Sequence, residues 1–360
     1  MKNKININGT NGNLTQPKSI INVGNSGTTL RFLTGICSLI NGRSMLTGDS
    51  SVTKRPIIPL LSSLNNLGAN CKFEHKKSRV VVNGKLRGGI TAINGLTSQF
   101  TSSLLFTTPL GVYDSIIQPM GLREKPYVDM TIFYLKEAGI DIDFESDYNQ
   151  FFIPGNQEYR SSNITIPGDY SSAAFILAAA SITNSKVTLR GLDINDSQAD
   201  QKIIKILQDM GTKISQNKGS IIIDGSDLKG IEIDLSNNPD LLPILAVVGA
   251  CAKGETILKN VEQARIKETD RIVAMRNELA KMGANIKELK DGLVIKQSKL
   301  VGNSVQGYND HRVVMSLAVA GLVARGKTSI NTAQSFKVTY PTFVDTLKKL
   351  NAKIFSEVDS

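Results

Sequence analysis

Five stretches of the chain resemble one another at nearly constant spacing: LNNLGANCKF, LKEAGIDIDF, LQDMGTKISQ, LAKMGANIKE and LKKLNAKIFS. Each closes a helical pattern on glycine or asparagine and passes into a strand pattern, the sequence form of a helix C-cap followed by a strand. The markers are Gly68, Gly139, Gly211, Gly283 and Asn351, separated by 71, 72, 72 and 68 residues. A fixed period means one supersecondary unit used repeatedly, and that constrains the fold more than any composition does.

A second landmark keeps the same period. VGNSGTTLRFLTGICSL, NGLTSQFTSSLLFTTPL, PGDYSSAAFILAAASI, NNPDLLPILAVVGACA and YNDHRVVMSLAVAGLVA each set a polar cluster before a very apolar helix. Helices apolar on all sides are expected to be buried, one in each unit, inside a sheet-lined core. Each unit reads as polar loop, buried helix, strand, amphipathic helix, glycine, strands. The polar clusters all open helices, so they could converge on one anionic ligand, or they could be ordinary N-caps. Counting one period back from Gly68 falls before Met1, and KININGTNG matches the strand pattern that follows the marker elsewhere. The phase therefore predicts that most of a sixth unit is absent from this chain.

A chain of 360 residues with 41% hydrophobic and 21% charged residues fits a soluble globular protein of two domains. The formal charge of +10 favours anionic partners. Lys and Arg are scattered, aromatics make up 6% and tryptophan is absent, which argues against nucleic acid as that partner. Three separated cysteines, Cys37, Cys71 and Cys251, point to a reducing compartment, and two histidines cannot build a His/Cys metal cluster. The N-terminus lacks the apolar core of a signal peptide, and the longest apolar run, residues 173–182, is too short to span a bilayer. The expected protein is cytoplasmic and binds neither membrane nor nucleic acid.

Several motifs carry possible chemistry, each beside a plainer reading. In NVGNSGTTLR, Asn25, Gly27, Thr28 and Arg31 could present amides, hydroxyls and a guanidinium to phosphate or carboxylate, or simply start a helix. Arg55 stands before a proline that opens a helix, as a surface arginine also would. Thr97, Ser98 and Gln99 suit an oxyanion or sugar-like hydroxyls, and Lys125 and Tyr127 begin another helix; each alone is more often a cap. Asp240, ahead of an aliphatic helix, is good capping chemistry and also a carboxylate able to take a proton from a hydroxyl. Lys267, Glu268, Asp270 and Arg271 crowd one helix start, with Glu268 and Arg271 on a shared face. Asp310, His311 and Arg312 enter so apolar a helix that either a site or a buried, satisfied ion pair must be there.

GNSGTTLR, KRP, TSQF, KPYVD, GDYSSAAFILAAA, KETDR and YNDHR, in this order and spacing from about residue 20 to 350, resemble the 5-enolpyruvylshikimate-3-phosphate synthases, also called 3-phosphoshikimate 1-carboxyvinyltransferases. The resemblance implies an α/β fold of two inside-out domains, each of three repeated units, here spanning 1–166 and 167–360 with a hinge near Pro167 and Gly168. It implies transfer of the enolpyruvyl group of phosphoenolpyruvate to the 5-hydroxyl of shikimate 3-phosphate, with no metal or cofactor, by a monomer of the shikimate pathway. Thr97, Ser98, Gln99, Tyr127, Asp240 and Lys267 then correspond to contacts of shikimate 3-phosphate. Asn25, Gly27, Thr28, Arg55, Arg271 and Arg312 correspond to the phosphoenolpyruvate cradle. Asp240 becomes the base at the 5-hydroxyl, with Lys267 beside it, and Glu268 the proton donor or relay. Domain closure on the first substrate is expected to complete the site. Because Gly27 lacks a side chain, glyphosate, which competes for that pocket, is expected to inhibit.

The chain departs from the family pattern in three places. The family's early KS…R segment has no counterpart, Gln263 stands where asparagine is frequent, and Val338 stands where some members carry a lysine, with Lys337 beside it. The alternatives are a ligand-binding remnant without turnover and the related enolpyruvyl transferase acting on UDP-N-acetylglucosamine, which lacks the KETDR and YNDHR pair.

Overall fold

The computed structural model describes residues 8–10, 12–161, 163–217 and 219–357. Its ten described α-helices are α1 (Gly27–Cys37), α2 (Ile58–Asn66), α3 (Ser98–Thr107), α4 (Lys125–Glu137), α5 (Tyr170–Ile182), α6 (Lys202–Asp209), α7 (Leu242–Cys251), α8 (Arg271–Lys281), α9 (His311–Gly321) and α10 (Phe343–Lys349). The repeat is visible in how the even-numbered helices stop. Gly68, Gly139, Gly211, Gly283 and Asn351 all have positive φ, between 65° and 115°. In each case the following amide reaches back five residues, as Ala69 N–H does to the Leu64 carbonyl at 3.0 Å and Ala284 N–H to Leu279 at 2.9 Å. This is the Schellman closure, which needs the left-handed conformation that glycine, and next best asparagine, adopts at little cost.

After four of these caps the chain enters a strand: Asn70–Glu74, Asp143–Phe144, Lys213–Asn217 and Asn285–Leu289. After Asn351 no strand is assigned among the described residues. The strand expected in KININGTNG lies outside the described residues at 4–7 and 11, and residues 8–10 are not extended into a ladder.

Four of the five odd-numbered helices, all but α5, connect parallel strands among the described residues. α1 joins Ile21–Asn22 to Arg43–Thr47, α3 joins Gly89–Asn94 to Ser115–Met120, α7 joins Glu232–Asp234 to Glu255–Lys259, and α9 joins Ser304–Gln306 to Ser329–Asn331. A parallel pair requires a crossover, and the apolar helix is that crossover. In the two four-stranded sheets of the first half and that of the second, an antiparallel hairpin completes the sheet. The sheet of Lys186–Arg190, Ser220–Asp224 and Lys213–Asn217 has three described strands.

Contacts divide the chain into two units, Met1–Ile164 and Thr165–Ser360. Each has its own core. In the second, α5, α7 and α9 pack on one another, and nine of the ten residues of α7 are buried. A helix buried on every side must be apolar on every side, which is what its sequence showed. In the first, α1 packs on α3 over a core that includes Leu30, Phe100, Leu104 and Leu135. The chain is thus mixed α/β, with apolar helices inside and sheets around them. Within the second unit Gly168 donates its N–H to the Gly191 carbonyl at 2.7 Å, and a Cβ there would sit 2.8 Å from that same oxygen.

Candidate active site

In the second unit the starts of α7, α8 and α9 meet around one buried arginine. Asp270 caps α8 by accepting from Val273 N–H at 3.0 Å, and Arg265 braces it at 2.8 Å. That leaves Arg271 as the first helical residue, its side chain 1% exposed. Its guanidinium donates from Nε to Asp310 Oδ2 at 2.8 Å, from Nη1 to Asp240 Oδ1 at 2.7 Å and from Nη2 to Glu268 Oε2 at 2.6 Å. Asp310 also caps α9, taking Arg312 N–H at 2.8 Å. A single carboxylate thus satisfies a helix end and half of a buried cation, so the plainer reading of the Asp-His-Arg triplet as a buried ion pair holds for Asp310.

The loop that delivers this triplet is anchored from behind. Tyr308 and Asn309 both have positive φ, 56° and 53°. Buried Glu278 accepts from Gln306 N–H at 2.9 Å and from the Tyr308 hydroxyl at 2.7 Å, which holds the strained turn in place. Gln263, where the family pattern often has asparagine, donates to the Ser236 carbonyl at 2.8 Å and ties the loop leading to Asp240.

Asp240 is the electrostatic hub. Besides Arg271 it meets Arg312 Nη2 at 3.1 Å and Lys267 Nζ at 3.8 Å. Burial opposes its ionisation, but Arg312, Lys267 and Arg271 overcome that and hold its carboxyl far below the usual carboxylate range. Asp200, which the sequence reading did not single out, lies on the far side of Arg312, 4.0 Å from Nη1. It accepts a hydrogen bond from the Ser171 hydroxyl. Burial pushes the Asp200 carboxyl up to about 6 against the pull of Arg312. Burial, with Arg312 and Arg271 nearby, pushes His311 down to about 4. Five residues expected from sequence, Asp240, Lys267, Glu268, Arg271 and Arg312, therefore share one network of two carboxylates and three cations.

In the first unit Ser26 caps α1 by accepting from Thr29 N–H, which places Gly27 at the first helical position with Asn25 and Thr28 on either side. A Cβ at Gly27 would lie 2.9 Å from Arg55 Nη1 and 3.4 Å from Arg31 Nη1. Arg31, considered for anion binding, is buried. It donates to the Gln99 side-chain oxygen and to the Pro56 carbonyl, and stacks 5.2 Å over Phe100. Gln99 in turn donates to the Thr28 hydroxyl at 2.9 Å. Arg55 donates to the Ser51 hydroxyl at 3.1 Å.

Thr97 caps α3, yet Thr97 and Ser98 are also drawn to Glu124, the buried residue just before α4. The sequence reading took Lys125 and Tyr127 from the EKPYVD motif and passed over this acid. The available signal was an acidic residue at a proline-started helix. Lys125 donates to the Asp147 carbonyl at 3.1 Å and lies over the Tyr148 ring, and Tyr127 sits in the first turn of α4.

The chain matches the family model of EPSP synthase (3-phosphoshikimate 1-carboxyvinyltransferase) over residues 1–347. It is 49% identical over 350 residues to the 3-phosphoshikimate 1-carboxyvinyltransferase of Acetivibrio thermocellus, covering 97% of this chain and 82% of that one. It is 43% identical over 351 residues to the protein of that name in Methanocaldococcus jannaschii, covering 95% and 81%. A solved EPSP synthase from Acinetobacter baumannii superimposes with a TM-score of 0.76 at 29% identity, covering 92% of this chain and 79% of that one. Among the described residues no helix is long and apolar enough to cross a membrane. With its repeated helix–sheet units and the KETDR and YNDHR network in place, the chain belongs to the EPSP synthase family, the 3-phosphoshikimate 1-carboxyvinyltransferases.

Proposed function

We propose that this protein transfers the enolpyruvyl group of phosphoenolpyruvate to the 5-hydroxyl of shikimate 3-phosphate, releasing phosphate, as a cytoplasmic monomer. The observation that supports this reading most is the network around Arg271, where two carboxylates, Asp240 and Glu268, sit among Lys267, Arg271 and Arg312. Both substrates are anions, and the chain's charge of +10 draws them in.

Asp240 accepts the proton of the 5-hydroxyl while that oxygen bonds to C2 of phosphoenolpyruvate. Glu268 delivers a proton to the methylene C3. Glu268 then takes a proton back from the new methyl group as phosphate departs from C2 with the proton held by Asp240, which restores the double bond. Asp240 is a weak base while three cations hold it. The anionic groups of the substrates engage Arg312 and Lys267, and Asp240 becomes more basic as they do. Arg271 and Arg312, with Gly27, Asn25, Thr28 and Arg55 of the first unit, are read as phosphoenolpyruvate contacts. Thr97, Ser98, Gln99 and Tyr127 are read as shikimate 3-phosphate contacts, with Asp240 and Lys267.

The test is phosphate release from the two substrates. Asp240→Asn and Glu268→Gln are each expected to lower kcat by about 100-fold or more, the range of one lost acid–base group. Release that requires UDP-N-acetylglucosamine in place of shikimate 3-phosphate, or binding of both ligands with no release, would overturn the assignment.

A further inference from the structure

The start of α3 already holds an anion. Thr97 Oγ1 donates to Glu124 Oε2 at 3.4 Å, Ser98 Oγ donates to it at 3.0 Å and Ser98 N–H at 3.2 Å. Three donors from the two residues read as shikimate 3-phosphate contacts thus converge on one carboxylate oxygen. Glu124 is 2% exposed, and its backbone sits in the left-handed region at φ 56°, a conformation disfavoured for a residue with a Cβ. The surrounding structure holds the side chain in this place despite that strain.

A carboxylate here offers the helix start what a substrate phosphate would offer, which is negative charge and acceptor lone pairs at the positive end of the helix dipole. The two cannot occupy the same donors. We propose that Glu124 is a specificity-determining residue that fills the anion seat of Thr97 and Ser98 in the ligand-free protein, so that the phosphorylated substrate binds by displacing its carboxylate. The proposal rests on the reading that this seat takes shikimate 3-phosphate.

The physical consequence is selectivity at the expense of affinity. Charge-assisted hydrogen bonds to Glu124 are stronger than those to a neutral acceptor, and a displaced carboxylate close to a phosphate repels it. A small anion such as inorganic phosphate brings only the charge and does not displace Glu124. A ligand that adds hydroxyl contacts on the same scaffold does.

Isothermal titration of shikimate 3-phosphate and of inorganic phosphate into the full chain tests this. Glu124→Gln keeps the size and the accepting oxygen and removes the charge. It is expected to bind shikimate 3-phosphate about tenfold more tightly, with a larger gain for inorganic phosphate, and to leave the KM for phosphoenolpyruvate unchanged. Glu124→Ser, which removes the carboxylate altogether, should move in the same direction, and it serves if the glutamine variant fails to fold. Unchanged or weaker binding in these variants would show that Glu124 is a brace and not a competitor. Ser98→Ala separates the two levels. If it leaves shikimate 3-phosphate binding unchanged, the assignment of the seat is wrong and the proposal falls with it. If it weakens binding while Glu124→Gln does not strengthen it, only the proposal falls.

Discussion

Two residues flanking Arg312 carry opposite pH dependences. Asp200 is pushed up to about 6 by burial, above the value of about 3.9 that an unfolded chain would have. Between those values the folded state holds a proton that the unfolded state has lost, so its contribution to stability is present at the acid end and disappears as pH rises from about 4 to about 6. His311 is pushed down to about 4 by burial and the nearby arginines, below about 6.5 in the unfolded chain. There the unfolded state binds the extra proton, so the contribution is present at neutral pH and is lost as pH falls toward 4. The two slopes oppose each other over the same window. Asp200→Asn is expected to leave a melting temperature that rises more steeply from pH 4 to 6.5 than in the parent protein. His311→Gln is expected to flatten or reverse that rise. Melting curves that shift in parallel with the parent at every pH would show that neither group titrates in this window.

At the scale of elements, the N-caps divide into those that only cap and those, Asp270 and Asp310, that also compensate charge. Asp169 accepts from Ser171 and Ser172 N–H at the start of α5. Asp310 does the same for α9 and also pairs with fully buried Arg271. Asp169→Ala is expected to cost about 1 kcal/mol, the ordinary value of a lost cap. Asp310→Ala removes the cap and leaves a buried cation short of a partner, so it is expected to cost about 3–5 kcal/mol. Urea denaturation of the two variants measures both, and equal losses would show that Arg271 is compensated without Asp310. The polar clusters before the apolar helices were legible as helix starts, and Ser26, Thr97, Asp169 and Asp310 do cap. Asp240 has no capping bond, and its carboxylate goes to the arginines. Capping depends on the nearest few residues and can be read locally. The arginine partners of Asp240 are 31 and 72 positions away and cannot.

At the scale of the molecule, each unit buries its own apolar helices, and the buried cluster of the second runs from Tyr170 to Leu347 without residues of the first. A segment with its own core of this extent is expected to fold alone. Residues 165–360 expressed by themselves should show one cooperative thermal transition by calorimetry. A broad, non-cooperative melt would mean that this core needs the rest of the chain. The same segment should release no phosphate from the two substrates, since the Thr97 and Arg55 contacts proposed above are missing from it.

The sequence by itself determined the period, the helix stops and the family. A Schellman cap, an all-apolar crossover helix and a charged motif are each written in a few consecutive residues, so Gly68, Gly139, Gly211 and Gly283 announced the architecture before any coordinate was known. Only the tertiary structure decided where charges go once they are buried. It buried Arg31 against Gln99, placed Asp200 across from Arg312, and seated Glu124 on Thr97 and Ser98. A desolvated charge must find its partner wherever the fold brings one within reach. Those partners lie 68, 112 and 26 residues away in the chain, beyond the span of any local pattern.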